Sequence, residues 1–244
     1  MDQAISALGN TVATNQRMHM GPGAHLLHFS VADHTLMNVV AFVSDPNDYS
    51  YDEKLSRMVA KDVVVKAFED FGPTVRTITN LLPTEVNEWA IFDTGVNLVP
   101  SYAKGRICIA GDAAHAAAPH HGAGAGIGVE DALALCCVVE LAKVSIEQHG
   151  IPTEQALSTA FAAYESVRQE RTHWFVSSSR GICDIYEWTH PEIGRNFDKI
   201  FNEIEWRSHK IWFFNFQEMM QFLKTHYKSA VTATKANSDT INCQ

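Results

Sequence analysis

From Gly105 to Ala132 the chain reads GRICIAGDAAHAAAPHHGAGAGIGVEDA. A short apolar run, Arg106 to Ala110, ends in Gly111-Asp112, and spaced glycines then lead into a long apolar segment. Strand, turn, glycine loop and helix in that order constrain the fold more than any other stretch. A strand ending in Gly-Asp delivers a carboxylate to the C-terminal edge of a sheet, where open α/β sheets bind ligands. A carboxylate there accepts hydrogen bonds from sugar or polyol hydroxyls. Glycines at 122, 124, 126 and 128 let the backbone pass close to a flat or phosphorylated ligand. The helix that follows offers free N–H groups and about half a positive charge at its start, which suits an anionic group.

The glycines do not form the dinucleotide fingerprint G-x-G-x-x-G/A. Counting five residues on from Gly122, Gly124 and Gly126 reaches Ile127, Val129 and Asp131. The run also lies about a dozen residues beyond the strand, not at its end, so the usual phosphate cradle fails on spacing.

The rest of the chain is ordinary globular sequence. Its 244 residues are 46% hydrophobic, enough to bury a core in one or two domains and too apolar for a disordered or fibrous chain. A net charge of -9 argues against nucleic acid or an anionic membrane as partner. Five cysteines, an odd count with no metal-knuckle spacing, read as reduced thiols of a cytoplasmic protein. The N-terminus has no signal-peptide pattern. The apolar run Ala123 to Val139 contains Glu130 and Asp131 and reads as a buried helix, not a membrane span.

Periodicity places strands at His25–Val31 and at Leu36–Val43, the second more buried, joined as an antiparallel hairpin through Ala32–Thr35. A break follows at Ser44–Asp48. A helical period from about Asp52 runs through Val64, Ala67, Phe68 and Phe71. Gly72-Pro73 ends that helix and begins another through Val75, Ile78, Leu81 and Leu82. Trp89–Phe92 reads as a strand, with Trp89 in the core. Gly126 to about Val144 is apolar nearly all round, so buried on most sides. Thr153 caps a long helix running towards Trp174. The aromatic-rich remainder to about Tyr227 reads as helical, and the polar tail from Lys228 as frayed.

The opening stretch closely resembles the second flavin-binding motif of the FAD-dependent aromatic hydroxylases, the single-component flavoprotein monooxygenases, in their salicylate-hydroxylase-like branch. The matching residues are Gly105-Arg106, Gly111-Asp112-Ala113-Ala114-His115, Pro119, Gly122, Gly124 and Glu130-Asp131-Ala132. The resemblance implies that Asp112 binds the ribityl hydroxyls of FAD and that Pro119 sits near the reactive edge of the flavin. It implies that Gly122, Ala123, Gly124, Ala125 and Gly126 run along the isoalloxazine ring, their N–H groups near its N1 and O2 side. It further implies an enzyme that uses NAD(P)H and O2 to hydroxylate a small aromatic substrate. The family's G-x-G-x-x-G unit, the acidic residue after its second strand and its later Asp-Gly motif are not found here. The resemblance runs from about Ala7 to Tyr227 and covers the back part of the family's protein. The implied fold class is α/β, and α+β for the chain as it stands: a partial Rossmann-like FAD-binding domain, a remnant of an antiparallel-sheet substrate domain, and C-terminal helices. The implied divisions are 1–98, 99–150 and 151–244. The expectation is weak FAD binding, or none, by this chain alone, and exposed edges on the strand Arg106–Ala110. A non-catalytic derivative, half of a split enzyme, and a same-fold enzyme of epoxidation or ring expansion stand as alternatives.

Other residues carry competing readings. His115, His120 and His121 read as loop framework in preference to a metal site, since no acidic ligand lies in the loop between them. Cys136 and Cys137 point to different helix faces and read as buried inert thiols, and Cys108 as core. His28 and Asn38 read as sheet surface, with substrate contact as the alternative. Arg168 and Arg171 read as helix-surface ion pairs, with a cofactor phosphate as the alternative. Trp206, Trp212, Phe213, Phe214, Phe216 and Phe222 read as packing of C-terminal helices, with a pocket cap or dimer face as the alternative. No catalytic base is identifiable.

Overall fold

A computed structural model describes residues 1–47 and 54–241, with side chains described up to residue 233. Asp48 of the expected break, Asp52 at the expected helical onset and 242–244 of the tail lie outside the described residues. The fold mixes helices with small antiparallel sheets and divides into two compact units. One comprises Met1–Ile91 with Cys183–Phe201, the other Phe92–Ile182 with Asn202–Gln244.

The first unit opens with two short helices, α1 (Asp2–Leu8) and α2 (Asn10–Thr14), where no periodicity is legible. Strands β1 (Arg17–Gly21), β2 (Ala24–Val31) and β3 (Leu36–Val43) then form an antiparallel sheet in that order. The expected hairpin is β2–β3, paired from Ala24↔Val43 to Val31↔Leu36. Its turn places Ala32, Asp33 and His34 at positive φ, closed by the Thr35 hydroxyl donating to the Ala32 carbonyl at 2.7 Å. The relative burial of the two strands is reversed from the expectation. Ala24, His25, Leu26 and His28 of β2 are buried, whereas Leu36 and Val43 of β3 are exposed. The cause is β1, which takes the other side of β2 and makes it the central strand.

Next come β4 (Ser56–Ala60), α3 (Lys61–Ala67), α4 (Pro73–Asn80) and β5 (Glu85–Trp89). The helix expected from about Asp52 begins only at Lys61, because Ser56–Ala60 pairs antiparallel with Glu85–Trp89. Gly72-Pro73 separates α3 from α4, proline's fixed φ suiting the first helical turn. The strand expected at Trp89–Phe92 lies upstream of it, and Trp89 is 67% exposed, not core: a two-stranded ribbon leaves one face uncovered. The core of this unit is Ala24 and Leu26 of β2 packed on Phe68 and on Val75 and Ile78 of α4.

In the second unit β6 (Ala103–Lys104) and β7 (Ile107–Cys108) form a small antiparallel pair around Gly105. The strand expected over Arg106–Ala110 is thus shorter, with Ile107 73% exposed and Cys108 only half-buried. Then follow α5 (Asp112–His115), a 3-10 turn at Pro119–His121, α6 (Gly124–His149), α7 (Thr153–Tyr186), α8 (Phe197–Trp212) and α9 (Phe216–Ile241). The tail expected to fray from Lys228 continues α9. Small residues let the helices approach: Ala134, Ala142, Ala156 and Ala160 are fully buried with Val138, Tyr164 and Leu223. Contrary to expectation, α6 leaves the apolar Val129, Leu133 and Val139 exposed, and Cys136 is exposed beside buried Cys137. Trp206, Trp212, Phe213, Phe216 and Phe222 are likewise exposed, so packing of the C-terminal helices does not account for them. No helix among the described residues is long and apolar enough to cross a membrane.

Candidate functional site

The site is built where β7 hands the chain to Gly111. This residue has φ 57° and ψ -143°, a conformation nearly confined to glycine. Its N–H donates to Asp131 Oδ2 of α6 at 2.9 Å. A Cβ on Gly128 would stand 4.0 Å from the Gly111 Cα, so the second turn of α6 passes directly against the Gly-Asp turn. That approach brings Asp112 beside the start of α6. Asp112 is exposed, and its carboxylate accepts no hydrogen bond from any described residue.

The loop to α6 is pinned from outside it. The Ala116 carbonyl accepts from the Thr94 N–H at 2.9 Å, and the Ala118 carbonyl accepts from the Ser179 hydroxyl. Pro119 is exposed at the start of the 3-10 turn, which Gly122 ends at φ 63°. Gly122, Gly124, Ala125 and Gly126 are all exposed, and a Cβ on any of the three glycines would meet nothing within 4 Å. Ala123 is different: its side chain is buried with Ile127, Phe175 and Ile211, so only its backbone can face a ligand. No side chain caps the start of α6, and no acidic residue lies in its first turn. The N–H donors of that turn and their positive end charge are therefore open. An exposed carboxylate beside an open, side-chain-free strip of N–H donors fits a flat ligand that carries hydroxyls and partial negative charge. A flavin with its ribityl chain has that chemistry.

Behind the strip lies a buried ion network. Asp131 Oδ1 accepts from Arg168 Nε at 2.8 Å, and Asp131 Oδ2 accepts from His115 Nε2 at 2.5 Å. Arg168 Nη1 donates to Glu130 at 2.7 Å, and Arg171 Nε and Nη2 both donate to Glu130 at 2.6 Å. Arg168 is fully buried, so the expected surface pairing of Arg168 and Arg171 is replaced by an interior cluster. Two carboxylates balance two guanidiniums, which is what allows the burial. Burial alone would raise the Asp131 carboxyl, but His115, the Gly111 N–H and Arg168 together hold it below the usual range. Sequence reading missed this network. Its signal was the adjacent Glu130-Asp131 on one helix and arginines three apart on another.

His115 and His121 take different partners. His121 Nε2 lies 2.9 Å from Ser178 Oγ, which also accepts from Arg207 Nη1 at 2.8 Å. Burial and the Arg207 charge push the His121 imidazole down to about 4, so it is neutral at pH 7 and accepts the Ser178 proton. In the first unit His28 faces the interior: its Nε2 donates to the Val12 carbonyl at 2.9 Å, and its Nδ1 lies 3.2 Å from His19 Nε2. Asn38 is half-buried on the opposite face of the sheet. His25 Nδ1 donates to Glu187 at 3.0 Å, and the Ser44 hydroxyl donates to the other oxygen of that carboxylate at 2.5 Å.

Residues 72–175 match the family described as FAD binding domain. An FAD-dependent monooxygenase of Aspergillus niger is 45% identical over 240 residues, covering 97% of this chain and 54% of its own length. A salicylate hydroxylase of Sarocladium schorii is 40% identical over 237 residues, covering 93% of this chain and 49% of its own. A solved salicylate hydroxylase substrate complex shares the fold with a TM-score of 0.79 and 26% identity, across 91% of this chain and 53% of that one. The chain is a homologue of the FAD-dependent monooxygenases, of salicylate-hydroxylase-like fold, and spans about half the length of the curated relatives it matches.

Proposed function

We propose that this chain carries the flavin-ring side of the cofactor site of an FAD-dependent monooxygenase that hydroxylates a small aromatic substrate with NAD(P)H and O2. The observation that carries the reading is the exposed Asp112 carboxylate on a turn that passes against the first turns of α6, whose start is uncapped and carries no side chain larger than a methyl at Gly124, Ala125 and Gly126. When bound, FAD supplies the redox chemistry that activates O2. The protein's part is to bind, orient and stabilise charge. Asp112 accepts hydrogen bonds from the ribityl hydroxyls. The N–H groups of Gly124 to Gly126, at the positive end of a 26-residue helix, stabilise negative charge on the N1 and O2 side of the reduced ring. Pro119 lies towards the reactive edge. Neutral His121, held by Ser178, adds a polar group without adding charge beside it.

Purified chain titrated with FAD, read by quenching of flavin fluorescence, tests this. Weak but saturable quenching is expected. Asp112→Ala weakens it about tenfold or more, the value of a hydrogen bond to a charged group. Undiminished binding by Asp112→Ala overturns the assignment of that residue, and stoichiometric FAD on the purified chain overturns the expectation of weak binding. A second reading, half of a split enzyme or a non-catalytic binding module, is favoured by one observation. The apolar residues Val129, Leu133 and Ile107 lie bare beside the motif, as a surface awaiting further chain would. Substrate turnover by a longer form containing this sequence supports the enzyme; flavin binding without turnover supports the module.

A further inference from the structure

We propose that Asp131 is a positioning residue of the flavin site, acting through the Gly111–His115 turn to present the Asp112 carboxylate. The proposal rests on the reading of Asp112 given above and adds a residue that itself touches no cofactor. Asp131 is fully buried and lies in the second turn of α6. Its Oδ2 holds both ends of the turn that contains Asp112: the Gly111 N–H at 2.9 Å and the His115 ring at 2.5 Å. Gly111 sits in a conformation that glycine reaches freely but that would cost an ordinary residue about 1–3 kcal/mol. The Gly111 N–H bond to Asp131 selects it from the several conformations open to glycine. Arg168 fixes the carboxylate in turn, through Oδ1 at 2.8 Å, and is itself held by Glu130 and by the Ile127 carbonyl at 3.3 Å. A chain of buried bonds thus runs from α7 through α6 to the turn, while the Asp112 carboxylate is exposed and makes no hydrogen bond to any described residue. His115 donates from Nε2 to the same carboxylate oxygen as the Gly111 N–H, so its role is also to hold the turn.

The test is a double-mutant cycle on flavin binding, with amide hydrogen exchange of residues 111–116 measured on the same proteins. Asp131→Asn is expected to weaken FAD binding about tenfold, as loss of a group that orients a ligand-binding residue commonly does. It should also speed exchange in 111–116 more than in the rest of α6. In the Asp112→Ala background Asp131→Asn should cost nothing further, within about twofold, because both act through one carboxylate. A purely structural Asp131 would lower melting temperature yet show independent, multiplicative effects on binding, and that result overturns the proposal. If Asp131→Asn fails to fold, Gly111→Ala serves instead: at φ 57° its Cβ strains the turn, and with no atom within 4 Å of it the substitution displaces neither Arg168 nor Glu130 directly. Unchanged exchange of 111–116 in either variant overturns the clamp whatever FAD does. If wild-type chain shows no quenching, the cofactor reading falls, while faster local exchange in Asp131→Asn still supports the clamp.

Discussion

Single buried ionisable groups set the pH behaviour of this chain, and they act in two separate windows. His121 is ordinarily half-protonated at 6.5, but in the folded protein burial and then Arg207 lower it to about 4. The unfolded chain therefore takes up a proton first as pH falls. Stability is full above 6.5 and declines between there and about 4, by about 2 kcal/mol for a partly exposed ring. His121→Gln should flatten urea-denaturation stability across that window, and an unchanged slope would refute the assignment. Asp131 and Glu187 act lower. Burial opposes their charge, but His115, Gly111 and Arg168 for one, and His25 and Ser44 for the other, outweigh it and depress both carboxyls. Their stabilisation is present above the ordinary carboxylate range and is lost as pH falls through the depressed folded values. Glu187→Ala removes the acceptor of both His25 and Ser44 and should cost about 3 kcal/mol at pH 7, the usual result of leaving buried donors without their carboxylate, measured by chemical denaturation. The Asp131 partnership left a local signal in Glu130-Asp131 and the arginines three apart, whereas the Glu187 one left none. His25 and Glu187 stand 162 positions apart, and no local pattern announces such a pairing.

At the scale of elements, legibility followed locality. The β2–β3 hairpin, the Gly72-Pro73 boundary and the strand–turn–glycine–helix order of the motif all depend on neighbours in sequence, and all are found. The burial of β2 over β3 and the start of α3 depend on β1 and β5, which pair from a distance, so periodicity misplaced them. The glycines of the motif show the same division. Gly122 needs its left-handed φ of 63°, so Gly122→Ala should lose about 1 kcal/mol or more, seen as a lower melting temperature. Gly126 lies within α6 with open space at its Cβ, so Gly126→Ala should gain up to about 1 kcal/mol of helix stability. If the strip lies along a flavin, the same methyl group stands between backbone and ring. Gly126→Ala should then raise the melting temperature and weaken FAD quenching together. A rise in melting temperature with unchanged binding would place the flavin elsewhere.

At the scale of the whole molecule, the exposed apolar surface says most. An apolar helix such as α6 implies burial all round, and sequence alone has no way to tell which of its faces the rest of this chain covers. The structure buries Ala134, Val138 and Ala142 on one side and leaves Val129, Leu133 and Val139 bare on another, with Ile107 of β7 exposed in the same unit. Free-standing proteins rarely tolerate contiguous apolar patches above a few hundred Å², because water contact costs about 25 cal/mol for each Å² left uncovered. The isolated chain should therefore associate with itself as concentration rises and should bind a hydrophobic dye while still folded. Sedimentation velocity over a concentration series measures the first, dye fluorescence the second. Val129→Lys combined with Ile107→Lys should reduce both. Neither side chain belongs to the buried core, so the unfolding free energy should change by less than about 1 kcal/mol. A chain that stays monomeric and dye-free at high concentration would show that these residues do not form one sticky surface, and the reading of a face awaiting further chain would lose its support.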